Sequence, residues 1–294
     1  MIDDSTKKDI DQISLDVLKQ SKALDVFPTP IDKIIQCANL IVSKEVDLVH
    51  VNEGFLTKLS GKFDAFVKQV RGVLDRRERM IYLDLSQSNN RQNFIKLHEA
   101  GHDLLPWQGT TLEFLDDDDT LDPSVNEQFE AEANYFASAT LFQNDRFDSE
   151  SAKLELGIKS VMYLSKRYGG SIHSTYRRYV ENSSKSCCLL LLENISKKGD
   201  FPICEVRDYF QSPSFSRRFG SISWNPTLGF TWPFVKDYYF GRKMNCNGEI
   251  SLPTQNGELK CNYQFFNSSY NGFVFIFPKG EKIKSRTTFV LNNL

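Results

Sequence analysis

The sequence predicts an α+β protein: a mainly helical first domain with a small β-hairpin, followed by a β-rich second domain. Three observations carry that expectation. Before residue 181, apolar residues recur at helical spacing in several separate stretches. Two short segments, Val70 to Leu74 and Met80 to Leu85, flank the charged turn Asp75-Arg76-Arg77-Glu78-Arg79, as in a hairpin. From Lys185 onward, short apolar and aromatic runs are broken by Gly, Pro, Asn and Ser. A chain of 294 residues is comfortable as two domains, and the pattern changes within Asn182-Ser183-Ser184-Lys185. The expected domains are therefore 1–183 and 184–294.

Ile10, Ile13, Leu15, Val17, Leu18 and Leu24 place a first helix over residues 9–24. Phe27-Pro28-Thr29-Pro30 ends it, because proline disfavours helix in the residue before it. Pro30 then suits the first turn of a second helix, Ile31 to Ile41. Lys44 to Val51 reads as extended, and Phe55, Leu59, Phe63, Phe66 and Val70 place a helix over 55–70. In the hairpin, Ile81, Leu83 and Leu85 alternate with Tyr82 and Asp84. Ser88-Asn89-Asn90 can cap a helix from Arg91 to Leu105, which stops at Pro106. Leu112 to Val125 reads as a solvated connector; its Asp116-Asp117-Asp118-Asp119 run lacks the Gly and spaced ligands of an EF-hand loop. A helix over 126–142 and a helical pair over 160–180 complete the first domain. Strands in the second are expected at Cys187–Leu192, Gly248–Leu252, Leu259–Phe266 and Gly272–Phe277.

Hydrophobic residues make up 40% of the chain and charged residues 25%, a globular profile. A formal net charge of −2 gives no whole-protein argument for nucleic acid or an anionic membrane. Met1 to Lys22 has no apolar core of a signal peptide, and no apolar run approaches the roughly 20 residues of a membrane span. The six cysteines contain no C-x-x-C pair and read as free thiols in a reducing compartment. A cytoplasmic protein with no membrane partner is expected.

The chemistry is concentrated in Leu97-His98-Glu99-Ala100-Gly101-His102. At 3.6 residues per turn, His98 and His102 stack one above the other, so both imidazoles can reach a single ion. They share a stripe with Phe94, Leu97, Gly101 and Leu105, the expected buried face. Gly101 costs roughly 1 kcal/mol in a helix relative to alanine, which close approach of a strand or a substrate would explain. Glu99 is rotated by about 100° from His98, away from ligation and towards a water on the ion. This pattern fits a catalytic Zn2+ centre, with Glu99 as the catalytic base. Such a centre needs a third protein ligand. The next helix offers Glu130, beside Ala133 and Ala137, and Glu132, beside Phe129 and Phe136. Periodicity leaves both open.

The run Arg91-Gln92-Asn93-Phe94, the His98-Glu99-Ala100-Gly101-His102 motif and Glu130-Ala131-Glu132-Ala133-Asn134-Tyr135-Phe136-Ala137 together resemble the ImmA/IrrE family of metallopeptidases. Pro30-Ile31-Asp32, Gly72-Val73-Leu74-Asp75 and Ile81-Tyr82-Leu83-Asp84 extend the match to roughly residues 15–180. The resemblance implies a zincin-like metallopeptidase domain with Zn2+ as cofactor and Glu132 as the acidic third ligand, with Glu130 the fallback. It also implies a protein substrate, a helix-turn-helix transcriptional repressor. Thr140-Leu141-Phe142-Gln143-Asn144 departs from the family's Leu-Leu-Met-Pro-like segment and implies a different pocket wall near Phe142.

Val161–Tyr168, Gly169-Gly170-Ser171 and Ile172–Val180 have the shape of a helix-turn-helix, made basic by Lys166, Arg167, Arg177 and Arg178. Packing against the catalytic domain is favoured over DNA binding for this pair, and a structural role over a catalytic one for His173. Trp224, Phe230, Trp232, Phe234, Tyr238, Tyr239 and Phe240 read as core packing of the second domain, whose sensory or regulatory role would be analogy alone. Two other function classes remain: a DNA-binding regulator, whose binding would fall with salt, and a toxin–antitoxin component with a non-catalytic metal site.

Overall fold

A computed structural model describes residues 2–47, 72–109, 123–198, 201–255 and 257–281. The expected helix over 55–70 and the Asp116–Asp119 connector lie outside these residues. The chain forms two compact units, Met1–Phe147 with Lys166–Ser171, and Asp148–Ser165 with Ile172–Leu294. It is α+β: helices surround a small sheet in the first unit, and a large antiparallel sheet dominates the second.

Helix α1 (Asp4–Gln20) starts where the Asp3 side chain accepts from the Ser5 and Thr6 backbone N–H groups. Ile10, Val17 and Leu18 form its buried stripe. Helix α2 (Ile31–Cys37) is shorter than its apolar spacing suggests. Asn39, at φ 54°, turns the chain out of the helix, a conformation asparagine tolerates better than most residues. Ile41 therefore begins strand β1 (Ile41–Asp47) instead of ending a helix. Strands β2 (Gly72–Asp75) and β3 (Met80–Leu83) form the expected hairpin, and β3 also pairs in parallel with β1. In the order β1-β3-β2, the central β3 buries Ile81, Tyr82 and Leu83, while β2 lies at the edge among the described residues.

Helix α3 (Asn89–Leu104) follows the hairpin, with Ser88 at its N-cap position but making no side-chain cap bond. Helix α4 (Pro123–Leu141) begins three residues before the expected start and buries Phe129, Ala133, Phe136 and Ala137. Phe142 is fully buried and packs edge-on against Phe147 and near Tyr168.

Helices α5 (Asp145–Lys153), α6 (Ile158–Tyr168) and α7 (Ile172–Glu181) come next. Helix α7 packs on the large sheet. Tyr176 stacks on Phe273, and Tyr179 meets Phe275. Its basic residues are engaged as well: Arg177 pairs with Glu181 and lies over Phe210, and Arg178 pairs with Asp148.

The large sheet comprises β4 (Cys188–Lys198), β5 (Phe201–Gln211), β6 (Thr227–Gly229), β7 (Met244–Thr254), β8 (Gly257–Asn267) and β9 (Gly272–Pro278), in the order β6-β5-β4-β9-β8-β7. Helices α8 (Pro213–Phe219) and α9 (Pro233–Tyr239) contribute Phe215, Phe234, Val235 and Tyr238 to one face, against Leu190, Leu192, Phe265, Val274 and Ile276. Tyr176 and Tyr179 cover part of the other. A central strand covered on both faces reads as an unbroken apolar run, which accounts for Cys187-Cys188-Leu189-Leu190-Leu191-Leu192. All six cysteines are free. Among the described residues, no helix is long and apolar enough to cross a membrane.

Candidate metal centre

Helices α3 and α4 cross at glycine 101. A Cβ there would lie 3.0 Å from Phe136 Cδ1 and 3.3 Å from the Ala133 Cα. The glycine thus admits neither a strand nor a substrate but a second helix, whose small residue sits opposite. Glu130, one turn before Ala133, reaches across to both histidines, whereas Glu132 is rotated away from them.

The reactive nitrogens converge. His98 Nε2 and His102 Nε2 are 3.1 Å apart, and Glu130 carboxylate oxygens lie 3.3 Å from the first and 3.4 Å from the second. Donors around a tetrahedral zinc at ordinary bond lengths stand roughly 3.3 Å from one another. The two Glu130 distances end on different oxygens of its carboxylate, and all three separations are close to the donor spacing of such a site. Two neutral imidazoles and a carboxylate are also a common zinc donor set, so the residues fit a metal ion.

The charges agree with this grouping. Burial opposes ionisation of Glu130, but hydrogen bonds from His102 and His98 and their charge outweigh it, holding the carboxyl far below its ordinary range. Burial likewise opposes the charged form of His102, and the Glu130 hydrogen bond with the charges of Glu99 and Glu130 raises it nonetheless.

Glu99 lies between α3 and the edge strand. Burial pushes its carboxyl up, with the two histidines and the Leu74 backbone N–H opposing in part. Glycine 72 makes room for it: a Cβ there would lie 2.9 Å from Glu99 Oε1 and overlap Ile95 Cγ2. The hairpin is fixed to the end of α3 by Arg79, which pairs with both oxygens of Asp103 at 2.6 and 2.9 Å. Arg76 donates to the His102 carbonyl at 2.6 Å.

Glu132, expected as the third ligand, occupies a different position. It is buried and accepts from Trp107 Nε1 at 2.7 Å, Gln108 Nε2 at 2.8 Å and Gln128 Nε2 at 2.9 Å. Its oxygens face these donors while Glu130 faces the histidine nitrogens, and among the described residues His98, His102 and Glu130 form a group that could hold an ion. The sequence reasoning missed Gln108, which is fully buried and contacts His102 Nδ1 at 2.8 Å through Oε1. Lying beyond the helix-ending Pro106, it belongs to no periodic pattern.

A histidine pair on one helix, a carboxylate from a crossing helix and a buried glutamate beside them form a cluster compatible with a histidine–carboxylate metal site. Residues 60–179 match the family model of the IrrE N-terminal-like domain, a peptidase family. Among solved structures, the chain is similar to a Mycobacterium tuberculosis transcriptional regulator, with 11% identity and a TM-score of 0.53. That likeness covers 92% of this chain and 75% of the regulator, and it concerns the fold. A search of curated proteins finds no relative of significant similarity.

Proposed function

We propose that the chain is a zinc-dependent endopeptidase acting on a regulatory protein, which family resemblance suggests is a helix-turn-helix transcriptional repressor. The observation that carries this reading is the triangle of His98 Nε2, His102 Nε2 and Glu130 beside the buried Glu99. His98, His102 and Glu130 would hold Zn2+, which when bound supplies a Lewis acid for the scissile carbonyl and favours ionisation of water near neutral pH. Glu99 takes a proton from the attacking water and returns it to the leaving amine nitrogen. A carboxyl lifted by burial suits both halves of that transfer. Among the described residues strand β2 is at the edge of its sheet and next to Glu99, where an extended peptide can add as a further strand.

The test measures zinc content and cleavage of a co-encoded repressor by the wild type and Glu99→Gln. The variant is expected to retain zinc and lose at least about 1,000-fold in kcat, at the scale of general acid–base catalysis. Equal cleavage by the two proteins would refute the assignment. A DNA-binding reading has less support, since the buried face and the arginines of α7 are engaged within its own unit.

A further inference from the structure

We propose that Gln108 and Glu132 form a positioning relay that sets the tautomer of the neutral His102 ring, with the proton on Nδ1 and the Nε2 lone pair towards the metal position. The proposal rests on the metal-site reading above and adds two residues to it.

The relay follows from a count of donors and acceptors. Gln108 is fully buried, and its amide nitrogen has two acceptors, the Phe129 carbonyl at 3.2 Å and Glu132 Oε2 at 2.8 Å. A side-chain amide has one nitrogen with two protons and one acceptor oxygen. With both protons committed, the oxygen must be the atom turned towards His102 Nδ1, at 2.8 Å. An oxygen cannot donate, so Nδ1 carries the proton. In a neutral imidazole the other nitrogen then bears the lone pair. That nitrogen is Nε2, the atom 3.1 Å from its counterpart on His98 and 3.4 Å from Glu130.

Glu132 holds the amide in this orientation. Flipping Gln108 would set its carbonyl oxygen against a carboxylate oxygen and the Phe129 carbonyl, with no proton between. Trp107 and Gln128 hold Glu132 in turn, supplying donors to Oε2 and Oε1. Among the described residues the two histidines are unequal in this respect: His98 Nδ1 is buried and has no hydrogen-bond partner there.

The experiment reads the tautomer directly in metal-free wild-type protein, by two-bond 15N–1H NMR of the imidazole rings above their titration range. His102 is expected as the Nδ1–H form. An Nε2–H form, or a mixture near that of free histidine, overturns the relay without the need for a variant. In Gln108→Met, of similar length and apolar, His102 is expected to lose this preference and zinc to bind about 10- to 100-fold more weakly. An unchanged tautomer in a folded Gln108→Met would equally overturn it. A metal-free protein with the Nδ1–H form that binds no zinc would sink the function proposed above and leave the relay standing.

Discussion

Glycine 101 of α3 lies against the backbone of Ala133 in α4, where a Cβ would stand 3.3 Å from the Ala133 Cα and 3.4 Å from its carbonyl oxygen. This contact sets the distance between the helix that carries the histidines and the one that carries Glu130. Gly101→Val would add two methyl groups beyond an already crowded Cβ. Alanine's helix advantage over glycine, about 1 kcal/mol, is smaller than the 1–3 kcal/mol typical of overpacking. Gly101→Val is therefore expected to lower stability by about 2 kcal/mol and to weaken zinc binding. Denaturant unfolding and metal titration check both effects, and an unchanged zinc affinity would mean that the crossing does not position Glu130.

Glu130 and Glu132 separate by what their loss leaves behind. Glu130→Ala removes a carboxylate from the histidine pair and is expected to abolish zinc binding at micromolar metal, with little loss of metal-free stability. Glu132→Ala removes an acceptor from the fully buried Gln108 and from Trp107 and Gln128, and an unsatisfied buried group costs about 1–3 kcal/mol. Its midpoint of urea unfolding is expected to fall even without metal. The reverse pattern, measured by calorimetry and metal analysis on both variants, would restore Glu132 as the ligand.

This pair also marks how far the site is legible in the sequence. His98 and His102 are four apart on one helix, so local geometry suffices to bring them together. The acidic partner depends instead on where two helices cross, and Ala131, Ala133, Ala137 and Ala139 all look like candidate crossing points. Only the packing of Gly101 on Ala133 selects Glu130. In the fold, β4 and β9 are readable because central strands are uniformly apolar. Strand β5 is not, since its Pro202, Glu205, Arg207 and Asp208 interrupt a half-exposed strand. The end of α2 likewise depends on the backbone turn at Asn39, which no hydrophobic period reports.

The buried thiols of the second unit give a pH dependence. Burial pushes Cys187, Cys204 and Cys261 each up to about 12 from an ordinary 9.0. In the unfolded chain they ionise near 9, so between 9 and 12 the folded state binds more protons. Stability from these groups is thus fully present below pH 9 and is lost as pH rises towards 12. The slope is at most about 1.4 kcal/mol per pH unit for each thiol. Urea midpoints between pH 8 and 11 are expected to fall, and Cys261→Ala to fall less steeply. Parallel curves for the two proteins would show that this thiol stays protonated in neither state.

Glycine 72 is the position where stability and catalysis separate from metal binding. A methyl group there would overlap Ile95 Cγ2 and stand 2.9 Å from Glu99 Oε1. Both neighbours project from α3, but neither is a candidate ligand. In Gly72→Ala the edge strand must retreat, or the Glu99 side chain must rotate, and either movement lengthens its contact with the Leu74 N–H. A misplacement of the order of 1 Å in a reacting group costs about 100-fold in rate. Zinc content is accordingly expected to match the wild type, with kcat down about 100-fold and stability lower by about 1–3 kcal/mol from overpacking. Loss of zinc in this variant would instead mean that β2 supports the histidines, and that its approach to Glu99 is incidental.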